Sequence, residues 1–249
     1  MSIVKIFQDI EEMSRDAADF ICERSILCVR EQGFFTIALS GGSTPRRLYE
    51  LLASSPYSES IPWEHIHIFW GDERCVSPDH SESNYHLTAQ ALLDHVPLPP
   101  GNIHRMMGET NPHTKAAADY EEEIRGFFRK MGCESLDFPV FDLILLGVGE
   151  DGHTASLFPG SEALQERERW VSAVLAPPGM VVEKRVTLTM PVIDAARWVM
   201  FLVSGDRKRD IVRAIFNDPD AVDRFPAAMV GERPDVFWFL DFTIDDEKK

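Results

Sequence analysis

The sequence lacks the features that mark a membrane-spanning, disulfide-stapled or nucleic-acid-binding protein. No apolar run approaches the ~18 residues that cross a bilayer, and the N-terminus shows no cationic start followed by an apolar stretch. The chain is therefore expected to be soluble and cytoplasmic. Only four cysteines occur, Cys22, Cys28, Cys75 and Cys133, with neither a C-x-x-C pair nor zinc-finger spacing. They read as reduced, mostly buried thiols. Positive charge is also scarce: 25 Lys and Arg stand against 41 Asp and Glu, a formal net charge of −16. That field repels polyanions, which argues against nucleic acid and anionic membranes as partners. A small anion is still admissible, because a few local cations and amides outweigh a distant, screened background.

Several catalytic signatures are missing as well. There is no G-x-x-x-x-G-K-[ST] phosphate loop and no G-x-S-x-G nucleophile elbow. His65 and His67 have neither an H-x-x-x-H spacing nor cysteine partners, so no metal site is expected. Water is the expected nucleophile of any hydrolysis.

What is present is a repeated alternation of short apolar runs with amphipathic stretches. Ile10, Met13, Ala17, Ile21, Leu27 and Cys28 recur at near-helical spacing, and Asp9 followed by Glu12 resembles a capping box. Strands are predicted at Phe34–Leu39, Ile66–Trp70, Ile103–Met106, Phe141–Leu146, Arg185–Thr189, Trp198–Val203 and Val236–Leu240. Helices are predicted at Thr44–Ala53, Asn84–Leu93, from Pro112 through Phe128, and after Gly205 to Phe216. Alternating strands and helices give an α/β fold: a mostly parallel sheet flanked by helices, Rossmann-like and doubly wound. No repeat, low-complexity tract or linker divides the 249 residues, which are read as a single domain, residues 1–249. At this length about 70–75% of the unfolded surface is buried, enough for a core without staples.

Four predicted strands run straight into glycine-bearing loops: Ser40-Gly41-Gly42-Ser43-Thr44, Gly71-Asp72-Glu73-Arg74, Gly147 to His153, and Ser204 to Lys208. Ligands of open α/β sheets bind beyond the carboxyl ends of the strands, so these loops face one crevice. In the first loop Gly41 and Gly42 allow close backbone approach, and Ser43 and Thr44 open a helix whose free N–H groups favour an anion. A plain N-capped turn is the alternative. The third loop matches G-x-G-x-x-G at Gly147, Gly149 and Gly152, but Pro159-Gly160 interrupts the helix a dinucleotide fingerprint requires. No nucleotide cofactor is therefore expected. In that loop Asp151 and His153 form a carboxylate-held base, competent to deprotonate water near neutral pH; alternatively Asp151 caps a following helix. Arg74 is suited to phosphate or to a developing oxyanion, or else to a salt bridge with Asp72 or Glu73. Lys208 starts a helix, where a cation opposes the dipole and calls for a compensating anion.

With these residues in view the sequence closely resembles the 6-phosphogluconolactonase family. The matching stretches are Leu39 to Pro45, Trp70 to Val76, Ser83-Asn84-Tyr85, Val96 to Arg105, Phe141 to Ser161, Ser204 to Lys208, and Trp238 to Asp241. The resemblance implies metal-independent hydrolysis of 6-phosphogluconolactone, a small sugar phosphate lactone, without a cofactor. His153 is then the general base, oriented by Asp151. Arg74 acts on the lactone's charge or the phosphate, Gly41, Gly42, Ser43, Thr44 and Lys208 bind phosphate, and Asp72 contacts substrate. The expected state is a monomer or weak homo-oligomer. The related glucosamine-6-phosphate deaminase/isomerases carry a glutamate five residues after the corresponding histidine; here Phe158 stands there, and a phenyl ring cannot orient an imidazole by hydrogen bonding. A non-catalytic sugar-phosphate sensor is the third alternative, disfavoured because only one helix precedes the first glycine loop, too little for a helix-turn-helix.

Overall fold

A computed structural model describes residues 2–133, 137–231 and 233–244. In chain order the elements are β1 (Ile3–Ile6), α1 (Ile10–Gln32), β2 (Phe35–Leu39), α2 (Ser43–Leu52), α3 (Tyr57–Ser60), β3 (Ile66–Trp70), β4 (Asp72–Arg74), α4 (Asn84–Ala91), α5 (His113–Lys130), β5 (Leu143–Leu146), β6 (Val171–Leu175), β7 (Lys184–Leu188), α6 (Met190–Ala195), β8 (Trp198–Val203), α7 (Arg209–Asn217), α8 (Ala221–Arg224), α9 (Pro226–Met229) and β9 (Val236–Leu240). Local chemistry sets the boundaries. Asp9 accepts the Glu12 amide at the start of α1, and Gly33, at φ 89°, ends it in the left-handed conformation that glycine adopts without penalty.

Six strands form a wholly parallel sheet in the order β1-β9-β8-β5-β2-β3. Its residues alternate between faces, as the two-residue period of a strand requires. Ile37, Leu39, Leu143, Leu145, Met200 and Leu202 pack toward α1 and α2. Ala38, Ile144, Leu146, Val199, Phe201 and Val203 pack toward α5 and the α7–α9 segment. Both faces are covered, which explains why the strands read as continuous apolar runs. The chain moves from β2 outward to β3 in one direction and to β5, β8 and β9 in the other. The topological switch point therefore lies between the carboxyl ends of β2 and β5, where α/β sheets bind ligands.

The doubly wound expectation holds, with the unpredicted edge strand β1 added and three further local corrections. The predicted strand at Ile103–Met106 makes only one bridge, Ile103 to Ile68, because the Pro99-Pro100-Gly101 turn brings the chain beside β3 for a single contact. Asp72–Arg74, read as a loop, is a short strand. It joins β7 and β6 in a second, antiparallel sheet of order β4-β7-β6, which the apolar pattern did not reveal. The helix after Gly205 starts later than expected: Asp206–Lys208 is a 3-10 turn, and α7 begins at Arg209.

Candidate active site

The four glycine-bearing loops converge on one cavity of about 270 Å³. It is lined by Ser40, Gly41, Gly42, Asp72, Arg74, Asn84, Gly147, Val148, Gly149, His153, Ala155, Arg185 and Lys208. A larger hollow of about 640 Å³ lies beside α7 to α9, but its charged lining residues, Asp218 and Asp223, have the wrong sign for an anion. The strand-end cavity holds Arg74, Arg185 and Lys208 against the single carboxylate of Asp72, a positive focus in an acidic chain.

Its floor comes from the first loop. Tyr49 of α2 donates its hydroxyl to the Ser40 carbonyl at 2.6 Å and accepts the Ser40 amide at 3.1 Å, so the loop is clamped at its entry. Gly41 lies against the Asn84 amide: a Cβ there would fall 1.8 Å from Asn84 Oδ1. Gly42, at φ 104°, turns the chain into α2. Ser43 and Thr44 form the first turn of α2 and are not among the lining residues.

The wall is β4, whose alternation explains the Asp-Glu-Arg order. Asp72 and Arg74 point to the cavity, and Glu73 points away. Glu73 is buried, and its carboxylate accepts the amides of Arg74, Asn84 and Tyr85 at 2.7–2.8 Å and the Ser83 hydroxyl at 3.0 Å. It thus satisfies the free N–H groups at the start of α4 and fixes Asn84 beside Asp72. Burial pushes the Glu73 carboxyl up, although those four donors pull it the other way. Asn84 donates Nδ2 to the Asp72 carbonyl at 2.8 Å and to its carboxylate at 3.2 Å, while Ser156 donates its hydroxyl to Asp72 at 2.5 Å. Those two acceptors fix the orientation of the Asn84 amide, leaving its Oδ1 without a partner.

Arg74 pairs in register with Arg185 across the β4–β7 ladder. Like charges directly opposite in an antiparallel pair are destabilising, so the two guanidiniums together require an anion. Burial, and next the Arg74 charge, lower the pKa of Arg185. The alternative reading of Arg74, an ion pair with Asp72 or Glu73, is not realised. Arg74 Nη1 instead donates to the Glu82 carbonyl at 2.6 Å and lies 3.6 Å from its carboxylate.

The Gly147–His153 loop supplies the base. His153 Nδ1 is 2.5 Å from Asp151 Oδ1, and the same oxygen accepts the His153 amide at 3.2 Å. Burial works to raise the Asp151 carboxyl, but the hydrogen bond and charge of His153 outweigh it and hold the group below the usual range. No helix follows Gly152, so the capping role considered for Asp151 is not realised. Asp151 stands behind the ring, outside the lining. With Nδ1 carrying the proton shared with Asp151, Nε2 is left as the basic nitrogen. Ala155, on the same turn, has φ 47°, a strained value for a residue with a side chain. Lys208 comes from the last loop, where Asp241 accepts the Ser204 hydroxyl at 2.5 Å and the Gly205 amide at 2.9 Å.

Of the residues singled out from sequence, Gly41, Gly42, Asp72, Arg74, His153 and Lys208 meet at the cavity. Arg185 was missed because nothing in its alternating strand distinguishes it; only the register with β4 does. Asn84 was not singled out as a site residue either, although it lies in the Ser83-Asn84-Tyr85 stretch that carries the resemblance. Among the described residues no cluster of His, Cys, Asp and Glu could hold a metal ion, and no helix is long and apolar enough to cross a membrane.

A doubly wound sheet whose switch-point crevice carries clustered cations and a carboxylate-held histidine defines a protein built to act on a small anionic molecule. The chain belongs to the family of glucosamine-6-phosphate isomerases and 6-phosphogluconolactonases, whose model matches residues 8–238. It is 41% identical over 239 residues to a 6-phosphogluconolactonase of Nostoc, covering 96% of this chain and 95% of that one. It is 42% identical over 229 residues to a 6-phosphogluconolactonase of Synechocystis, covering 89% and 91%. The solved 6-phosphogluconolactonase of Trypanosoma cruzi superposes with a TM-score of 0.84 at 33% identity, covering 96% and 94%.

Proposed function

We propose that this protein hydrolyses 6-phospho-D-glucono-1,5-lactone to 6-phospho-D-gluconate, the second step of the oxidative pentose phosphate pathway. The observation that carries this reading is the meeting, in one cavity, of a histidine held by a carboxylate with three cations and no competing nucleophile of the serine-elbow type. His153 Nε2 takes a proton from water as the water oxygen bonds to the lactone carbonyl carbon. Asp151 holds the ring and stabilises the imidazolium that forms. The carbonyl oxygen gains negative charge, which a nearby guanidinium offsets; the ring C–O bond then breaks, and the leaving hydroxyl takes the proton from His153. Lys208, Arg185 and the amides of Gly41 and Gly42 support a phosphate subsite, leaving Arg74 between phosphate and carbonyl. Asp72, fixed by Asn84 and Ser156, accepts a sugar hydroxyl.

In this reading the whole chain, residues 1–249, acts as one catalytic domain, as a monomer or weak homo-oligomer. The free state of all four cysteines supports a cytoplasmic setting. The deaminase alternative loses support at Phe158, whose ring packs 4.7 Å from the imidazole of His153 where a second carboxylate would be required. The test is hydrolysis of freshly generated 6-phosphogluconolactone, corrected for its spontaneous rate, beside ammonia release from glucosamine 6-phosphate. His153→Ala is expected to lower kcat by about 10²–10⁴ with the fold retained. Ammonia release without lactone hydrolysis would overturn the proposal, and wild-type turnover by the variant would remove His153 as the base.

A further inference from the structure

Arg74 is the cation of the cavity whose partner is least suited to it. Its Nη1 donates to the Glu82 backbone carbonyl, and the Glu82 carboxylate lies 3.6 Å from the same atom, beyond hydrogen-bonding distance for a charged pair. Arg74 Nε is buried with no hydrogen-bond partner. Arg185, opposite in the ladder, donates Nε to the Val182 carbonyl at 2.9 Å and has no carboxylate among its hydrogen bonds in the described residues. Asp72 is engaged by Ser156 and Asn84, and Glu73 is turned into the start of α4. Asp72 keeps its charge near Arg185, but the carboxylate paired with Arg74 is that of Glu82, a partly exposed side chain at the end of the loop between β4 and α4.

We propose that Glu82 is an exchangeable counter-ion: its carboxylate holds the place of ligand anion at Arg74, and it weakens anion binding so that product leaves. The inference rests on the reading of this cavity as a phosphorylated-sugar site. A long, partly solvated contact is given up readily when a phosphate or carboxylate oxygen arrives. Glu82 then remains close by as a repelling charge. Hydrolysis adds a carboxylate to a molecule that already bears phosphate, so this repulsion acts more strongly on product than on lactone. The backbone anchor is independent of the carboxylate, so Glu82→Gln removes the charge and keeps the Arg74–carbonyl hydrogen bond.

The experiment is calorimetric titration of 6-phospho-D-gluconate into the full-length wild type, Glu82→Gln and Asp79→Asn at low salt. Asp79 lies on the same loop, exposed, so its variant makes the same change in net charge away from Arg74. Glu82→Gln is expected to bind about two- to fivefold tighter than wild type, the range for a partly exposed charge pair, with the difference shrinking as salt rises. Asp79→Asn is expected to match wild type. Inorganic phosphate and D-gluconate, titrated separately, identify the oxygen source: tightening with phosphate assigns the exchange to the phosphoryl group, and tightening with gluconate alone assigns it to the new carboxylate. Unchanged or weaker binding by Glu82→Gln, or equal tightening by Asp79→Asn, would overturn the proposal. Lactone hydrolysis by the wild type is measured in parallel. Its absence would remove the proposed reaction while leaving the counter-ion result standing.

Discussion

Gly149 tests whether the placement of the His153–Asp151 pair matters to the chemistry. An alanine Cβ at this position would lie 2.0 Å from His153 Nδ1 and 2.6 Å from Asp151 Oδ1. Real Cβ contacts essentially never fall below 3.0 Å, so the imidazole must retreat by at least about 1 Å or leave its carboxylate. The loop cannot easily absorb the shift, because the Gly149 amide donates to the His153 carbonyl at 2.8 Å and the Gly149 carbonyl accepts the Gly152 amide at 3.0 Å. Gly152 in turn is pinned at φ 82° under Phe225, where the Ala227 amide meets its carbonyl at 3.0 Å. A displacement of about 1 Å at a catalytic group costs about 10² in rate, equivalent to about 2.7 kcal/mol of barrier. Gly149→Ala is therefore expected to lose about a hundredfold in kcat for lactone hydrolysis. The affinity for 6-phosphogluconate should change little, since its proposed phosphate partners lie on other loops. Circular dichroism and calorimetric titration check that the fold and the anion site survive. A variant with wild-type kcat would refute the view that the close packing of Gly149 against His153 sets the base.

Three further expectations follow from separate parts of the molecule. Asp241→Asn places an amide against the Ser204 hydroxyl and Gly205 amide, weakening two hydrogen bonds at about 1 kcal/mol each; KM should rise several-fold through Lys208 with a smaller change in kcat, and an unchanged KM would dissociate that loop from substrate binding. Gly126→Ala lies on the exposed side of α5 with no atom within 4 Å of the new Cβ, so urea unfolding should show a gain of about 0.5–1 kcal/mol; a loss would mean that the helix backbone there is not regular. His67 is held neutral by burial first and by the charge of His104 second, which lower its pKa to about 4. The unfolded chain takes up a proton near the ordinary value while the folded chain does not, so this contribution to stability is complete above about pH 6.5 and lost as pH falls toward about 4. His67→Gln should thus lose less stability than wild type between pH 7 and pH 5, and an equal loss would assign the acid sensitivity elsewhere.

Much of the architecture was legible because burial on both faces of a parallel sheet imposes continuous apolar runs. Ile66–Trp70, Trp198–Val203 and Val236–Leu240 are strands to the residue. Of the elements that escaped, β1 and β6 are short apolar runs at sheet edges, while β4 has no apolar pattern at all. β4 consists of Asp72, Glu73 and Arg74, and it is a strand only because β7 offers it a ladder. The same pairing hid Arg185, since two arginines 111 positions apart in sequence become neighbours only through register. The His153–Asp151 pair was readable because both partners sit on one loop and no helix competes for Asp151. Glu73 shows the opposite case. Next to Arg74 it looks like a local ion-pair partner, yet strand alternation turns it to the other side, where four donors of α4 and β4 hold it.

This alternation also explains how a chain of net charge −16 builds an anion site. Acidic residues are abundant around the crevice, but each is committed elsewhere or held at a distance. Glu73 caps α4, Asp151 stands behind the imidazole, Asp241 pins the Lys208 loop, and the Asp72 carboxylate is hydrogen-bonded by Ser156 and Asn84. The cations project inward from β4, from β7 and from the turn before α7, so their fields add within a small cavity of reduced dielectric. The outer surface stays acidic, and at physiological salt its field is screened within about 8 Å. Substrate capture is therefore governed by a few groups at short range rather than by net charge. Added salt should weaken anion binding more through Lys208, on a loop exposed at Gly205, Asp206 and Arg207, than through the buried Arg185, which is screened much less.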